Sequence, residues 1–249
     1  MTCVTSVISA FSNGAWQQHL TPLLSPENGI QIWIAHLDSF LPGEVERLFG
    51  SLDASERMRA AQFHSLQNRH RYVAAHGLLR LTLARILGCP VTTLVLEKSA
   101  QGKPELRQSE HDQRRLKFNL SHSAGWALIA IRWDRQLGVD LEAAESLPDD
   151  DQSLSKLAAS VLSERELEVW RTIQSPVKRR AAFFRMWTRK EAYVKATGEG
   201  LRHGLANIEL PADAATFDIP SAERPAHRWI VHDLSVPAEL TAALAIEAC

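Results

Sequence analysis

The stretch Leu137-Gly138-Val139-Asp140-Leu141-Glu142, entered from the apolar run Trp126-Ala127-Leu128-Ile129-Ala130-Ile131, constrains the fold more than any other. Along extended backbone successive side chains alternate between faces, so Asp140 and Glu142 share one side and Leu141 takes the other. Two carboxylates on one side of a strand can grip one cation. Gly138 turns the chain there or lets another group approach closely. An alternating strand with a solvated outer face carries the same pattern, so a metal half-site needs a second cluster elsewhere in the chain.

The 249 residues, 45% hydrophobic and 23% charged, suffice for one large domain or two small ones. With 28 basic against 29 acidic residues the net charge is -1, which leaves no global field to hold nucleic acid or an anionic membrane. Cys3, Cys89 and Cys249 lack the spacing of a zinc knuckle or a disulfide framework. No basic residue precedes the first apolar positions, and the apolar runs are too short to cross a bilayer. A cytoplasmic protein is expected.

Residues 1–28 show no sustained period and read as an N-terminal extension or peripheral cover. Residues 29–35 alternate at period two and read as the first strand. A helical stretch follows, with Asp53 or Ser55 as N-cap, and an amphipathic helix through 69–81 runs to Gly88 as C-cap, with Arg71 and Arg80 flanking its apolar face as solvated charges. Residues 94–97 read as a strand, Gly102-Lys103-Pro104 as a turn that presents one cation, and 105–117 as a loop or widened hairpin turn. Residues 118–123 and 126–133 form a hairpin turning at Ala124-Gly125. Asp149-Asp150-Asp151 marks a surface turn that can cap the next helix, and helical pattern then dominates to about residue 197. Strands are expected at 229–231 and 240–246.

Sliding the chain by 108 positions lays Ser55-Glu56-Arg57 on Ser163-Glu164-Arg165 and Arg71 on Arg179. This faint repeat suggests two α+β halves, 29–135 and 136–249, with Asp140 and Glu142 near the junction, where ligand sites are favoured. The second cluster lies in Phe184–Ala196, a strong helix pattern. Glu191 and Lys195, spaced i, i+4, share a face there. Such a pair is either an ordinary surface pair or, with Glu191 completing the set begun by Asp140 and Glu142, part of an oxygen-lined site suited to Mg²⁺.

Gly102-Lys103-Pro104, Phe118-Asn119-Leu120-Ser121-His122-Ser123, Gly138-Val139-Asp140-Leu141-Glu142 and Trp187 to Lys195, in this order and spacing, resemble the 4′-phosphopantetheinyl transferases of the surfactin-synthetase-activating type. The likeness covers roughly residues 30 to 205. It implies an α+β pseudo-dimer of two similar halves, monomeric, with coenzyme A bound between them. It further implies transfer of the phosphopantetheine arm of coenzyme A to a serine of an acyl or peptidyl carrier protein, with release of 3′,5′-ADP. By position, Asp140, Glu142 and Glu191 would be the Mg²⁺ ligands. Lys195 would contact the reacting phosphate, and Arg71, Lys103, Ser121 and His122 would hold the nucleotide and its phosphates.

The chemistry agrees, because a hydroxyl attacking a diphosphate needs neutralised charge, a base and a stabilised leaving group. Glu191, or a water it orients, can take the serine proton. Two other functions use similar residues. A metal-dependent phosphodiesterase would want a broader basic surface, and a non-catalytic module binding coenzyme A or carrier proteins would not need the intact acidic set. Arg171, Lys178, Arg179, Arg180, Arg185, Arg189 and Lys190, uninterrupted by Asp or Glu, suggest a local basic surface for an acidic carrier protein.

Overall fold

Strand β2 (Ile30–His36) alternates as its sequence requires: Ile30, Ile32 and Ile34 face one core and Trp33 and Ala35 another. The computed structural model describes residues 15–24, 29–100, 102–108, 114–146, 148, 150–198, 204–210 and 228–248. β2 pairs antiparallel with β1 (Thr21–Leu23) and β6 (Trp126–Trp133), and β6 pairs with β5 (Leu116–Ser123), giving a four-stranded sheet in the order β1-β2-β6-β5. Part of the N-terminal segment is therefore an edge strand. The hairpin β5–β6 turns at Ala124 and Gly125, both at positive φ, as a two-residue turn matching strand twist requires.

Between β2 and β5 the chain forms α1 (Pro42–Ser51), α2 (Ala54–Ala61), α3 (Leu66–Leu87) and a small hairpin, β3 (Leu96–Lys98) with β4 (Pro104–Leu106). Asp53 caps α2 and Ser65 caps the long helix. The expected loop at 105–117 thus begins inside β4 and ends inside β5, and residues 109–113 lie outside the described residues. The second half follows the same order: β7 (Leu137–Ala143), α4 (Asp151–Val161), α5 (Glu164–Thr172), α6 (Pro176–Thr197), β8 (Trp229–Asp233) and β9 (Leu240–Glu247). Its sheet is antiparallel in the order β7-β9-β8. Asp150 caps α4; Asp149, the first of the acidic trio, lies outside the described residues.

The repeat is real, but its helical register is 110 positions, not 108. Asp53 corresponds to Ser163, both in capping boxes whose N3 residues are Glu56 and Glu166. Ser65 corresponds to Ser175 as N-cap, and Gly88 to Gly198 as left-handed C-cap. Each half also buries one cation of its long helix against that glutamate. Arg80, 1% exposed, donates to Ser51 O at 2.8 Å and pairs with Glu56 at 3.2 Å. Lys190, 0% exposed, donates to Val161 O at 2.8 Å and pairs with Glu166 at 2.5 Å. Ser51 and Val161 are again 110 apart. Arg80 is therefore no solvated charge; the repeat turns its side chain inward.

Three apolar clusters organise these layers. One packs α1 and α3 on the first sheet, one packs α4 to α6 on the second, and a third lies between the sheets. The third draws Ile32, Ile34 and Leu128 from the first half and Val139, Leu141 and Leu244 from the second. Burial of a face from each half joins them. It also leaves Asp140 and Glu142 on the other side of β7, toward α6.

Candidate active site

Helix α6 can reach β7 only because residue 138 has no side chain. A Cβ there would lie 2.2 Å from Ala192 O and 2.3 Å from Ala196 N, both main-chain atoms of α6. Of the two roles open to Gly138, the structure selects close approach. Lys190 sets the rotation of the helix: its Nζ is fixed between Val161 O and Leu205 O, at 2.8 and 3.0 Å. Glu191, about 100° further round the helix, is thereby turned to the β7 face.

The outer edge of β7 would otherwise present a row of unpaired N–H groups. Side chains of β5 take them instead. Val139 N donates to Asn119 Oδ1 at 2.9 Å, Leu141 N to Ser121 Oγ at 3.2 Å and Ala143 N to Ser123 Oγ at 3.3 Å. Three residues at i, i+2, i+4 on one face of β5 thus replace a partner strand and tie the two sheets together. Their alternation within an apolar strand was the available sequence signal; sequence reasoning gave Asn119 and Ser123 no role.

At this junction Asp140 is 2% exposed. Its Oδ1 accepts from Lys195 Nζ at 2.6 Å and from Ser121 Oγ at 3.0 Å, and Lys195 Nζ lies 3.0 Å from Ser121 Oγ. Among the described residues its Oδ2 is buried without a hydrogen-bond partner. Glu142 Oε2 accepts from Ser123 Oγ at 2.9 Å and from Ser146 Oγ at 3.0 Å, the latter a further contact absent from the sequence reading. Burial, and then the charge of Asp140, pushes the Glu142 carboxyl above its ordinary range. Glu191 is pushed the same way by burial and then by Asp140, with Lys195 opposing. The structure therefore brings Asp140, Glu142, Glu191, Lys195 and Ser121 into one electrostatic unit short of positive charge. Among the described residues no group of three or more His, Cys, Asp or Glu is already assembled to hold a metal ion.

The remaining site residues lie around this unit. His122 points to the α3 side of β5, opposite Ser121. The residue is exposed, yet the surrounding protein disfavours the charged form, and His76 and Lys195 add to that, so its pKa falls below the ordinary 6.5. Arg71 is held by Asp38, with Nε to Oδ1 at 2.8 Å and Nη2 to Oδ2 at 2.5 Å. Lys103 does not present a free cation from its turn. Its Nζ donates to Gln136 Oε1 at 3.2 Å, Leu137 O at 3.0 Å and Ala196 O at 3.1 Å, and burial lowers its pKa to about 8. It pins the β3–β4 turn of the first half to β7 and the last turn of α6.

Five of the seven cations of the expected basic run are engaged within the fold, while Arg171, at the end of α5, and Lys178 stay exposed. Arg189 is buried and pairs with Asp233 at 2.6 Å, Arg185 with the same carboxylate at 2.7 Å, and Lys190 with Glu166. Arg179 pairs with Asp151 at 2.7 Å and stacks over Trp170, and Arg180 donates to Pro148 O. The acidic partners come from distant sequence, which is why the run reads as unneutralised.

Fold and sequence define a group-transfer enzyme. Residues 136–245 match the 4′-phosphopantetheinyl transferase superfamily, and residues 41–133 match the N-terminal family of 4′-phosphopantetheinyl transferases. The chain belongs to the 4′-phosphopantetheinyl transferases. It is 34% identical over 224 residues to the 4′-phosphopantetheinyl transferase HetI of Nostoc sp., covering 90% of this chain and 89% of that protein. It is 29% identical over 188 residues to the 4′-phosphopantetheinyl transferase psf-1 of Bacillus pumilus, covering 73% and 74%. To the L-aminoadipate-semialdehyde dehydrogenase-phosphopantetheinyl transferase of Homo sapiens it is 26% identical over 195 residues, covering 75% and 62%. Among the described residues no helix is long and apolar enough to cross a membrane.

Proposed function

We propose that the protein is a transferase of the surfactin-synthetase-activating type, moving 4′-phosphopantetheine from coenzyme A to a serine of an apo acyl or peptidyl carrier protein. It acts as a cytoplasmic monomer whose halves, residues 29–135 and 136–249, bind coenzyme A between them; residues 1–28 precede them. One observation supports this reading: Lys195 Nζ meets Asp140 Oδ1 at 2.6 Å across the β7–α6 contact, while Asp140 Oδ2 is buried and, among the described residues, unpartnered. An orphaned carboxylate oxygen, with two further carboxyls whose ionised forms its charge disfavours, is chemistry that a hard divalent cation drawing them together would relieve. Asp140, Glu142 and Glu191 would hold Mg²⁺, which supplies charge neutralisation for the diphosphate.

The serine Oγ attacks the phosphorus that carries the pantetheine arm. A new P–O bond forms, the P–O bond to the other phosphate breaks, and 3′,5′-ADP leaves with the electron pair. Glu191, made more basic by its burial, takes the serine proton. Lys195, 30% exposed at its side chain, can turn from Asp140 to a phosphate oxygen as charge develops there. Ser121 donates a hydrogen bond to Asp140 and accepts one from Lys195, and so orients both beside the phosphates. Arg71 and neutral His122 hold the nucleotide, and Lys103 contributes its charge, because its N–H groups are already given to Gln136, Leu137 and Ala196.

Incubation with coenzyme A, MgCl₂ and an apo carrier protein tests the reading. A carrier mass increased by one phosphopantetheine is expected. An unmodified carrier with intact coenzyme A would sink it, and coenzyme A cleaved without transfer would indicate a phosphodiesterase.

A further inference from the structure

The Arg71 guanidinium is gripped from one side by a carboxylate that the reaction does not use. Asp38 sits in the short 3-10 turn Leu37–Ser39 that follows β2, and it meets Arg71 of α3 side-on through two bonds, at 2.8 and 2.5 Å. Gln67, one turn earlier on α3, also donates to Asp38 Oδ2, at 3.4 Å. The hairpin turn closes over this pair. Leu37 N donates to Gly125 O at 2.6 Å, and a Cβ at residue 125 would lie 2.6 Å from Asp38 Oδ2 and 3.1 Å from Arg71 Nη2. Gly125, at φ 86°, is thus needed twice, for the turn and for the approach of β5–β6 to the ion pair. That hairpin carries Ser121 and His122.

We infer that Asp38 is a positioning residue for nucleotide binding: its side-on grip on Arg71, locked under the Gly125 turn, holds the remaining N–H groups of that guanidinium ready for a phosphate of coenzyme A. A guanidinium has five N–H donors, and Asp38 takes two of them, leaving a second edge for an anion. Fixing it beforehand spares the rotamer entropy that a long side chain otherwise loses on binding. The pair also couples three elements of the first half, the β2 exit, α3 and the β5–β6 turn. This inference rests on the reading of the protein as a coenzyme A-dependent transferase.

Isothermal titration of the full chain with coenzyme A and with 3′,5′-ADP tests it, starting from the parent. No binding by the parent would refute the transferase reading itself. Given binding by the parent, Asp38→Asn should raise both dissociation constants about tenfold, the effect expected when one charge-assisted contact loses its alignment. It should raise the Michaelis constant for coenzyme A and leave turnover within about twofold. In an Arg71→Ala background the same substitution should add little, because the residue it positions is gone. Asp38→Glu, which keeps the charge but moves the carboxylate outward, gives the same readout if Asp38→Asn does not fold. Unchanged or tighter binding by the variant, or an equal loss with and without Arg71, would overturn the inference.

Discussion

Lys195 Nζ lies 2.6 Å from Asp140 Oδ1, joining a cation of the helix α6 to a carboxylate of the strand β7 across 55 residues of sequence. Because Asp140 is buried and its other oxygen has no partner among the described residues, this contact balances a strongly desolvated charge. Asp140→Asn removes a like charge from beside Glu142 and Glu191, so the metal-free protein should melt at the same temperature or higher. The variant should lose the rise in melting temperature that MgCl₂ gives the parent, and its turnover should fall by about 100-fold or more. Lys195→Ala should lower turnover more than coenzyme A affinity, since it meets charge that develops in the transition state. Melting curves with and without MgCl₂, set beside steady-state kinetics, decide both.

Gly138→Ala should be the most damaging single-methyl change near the site. Its Cβ would meet main-chain atoms of α6 at 2.2 and 2.3 Å, and main chain cannot step aside as a flexible side chain can. A loss of about 3 kcal/mol in urea unfolding is expected, at the upper end for overpacking. The folded fraction should also show reduced turnover, because α6 carries Glu191 and Lys195. A variant as stable as the parent would mean that α6 shifts freely on β7.

The buried pairs Arg80–Glu56 and Lys190–Glu166 should respond alike, being related by the internal repeat. Lys190→Met leaves Glu166 buried without its cation and should cost about 3–5 kcal/mol, and Arg80→Met should do the same to Glu56. Replacing both members of one pair by apolar residues should recover much of that loss. Chemical denaturation of the single and double variants measures the difference.

Charge reversal at Arg179 should act on the fold. Its guanidinium is paired with Asp151 at the start of α4 and stacked over Trp170, so Arg179→Glu places like charges together and strips a ring contact. The expected result is a melting temperature lowered by several degrees, of the order that 1 kcal/mol gives in a chain of this size. Carrier-protein kinetics per folded molecule should stay unchanged, in contrast to what the basic run suggests when read from sequence.

The Asp38–Arg71 pair should leave a signature in acid. The hydrogen bond from Arg71 holds the Asp38 carboxyl below its ordinary 3.8, against the opposing cost of burial. A carboxyl with a depressed folded-state pKa stabilises the fold fully above its unfolded value, and that contribution is lost as pH falls through the folded value. The difference in unfolding midpoint between parent and Asp38→Asn should therefore be constant from pH 7 to about 5 and shrink below 3.8. A difference that does not change with pH would show that the ion pair adds nothing.

Much of the architecture was legible in the chain because it rests on local rules. The alternation of β2, β5 and β7, the two-residue turn at Ala124-Gly125 and the left-handed caps at Gly88 and Gly198 each depend on a few neighbouring residues. So does the sharing of one face by Asp140 and Glu142. The order of four short motifs was enough to identify the family. The repeat was visible but misregistered by two positions: three matching letters at 108 outweighed a capping box whose first residue is Asp in one half and Ser in the other.

What the tertiary structure alone decided concerns which charges are free. Arg80, Arg189 and Lys190 have the sequence character of helix-surface cations, yet the fold buries all three against carboxylates or carbonyls of other segments. Lys103 spends its donors on the second half of the chain, and Asp38, unremarkable in sequence, holds Arg71. The reason is physical. Backbone conformation is set by neighbours in the chain, whereas the state of a charge is set by what surrounds it in space, and at this junction those surroundings come from segments up to about a hundred residues apart.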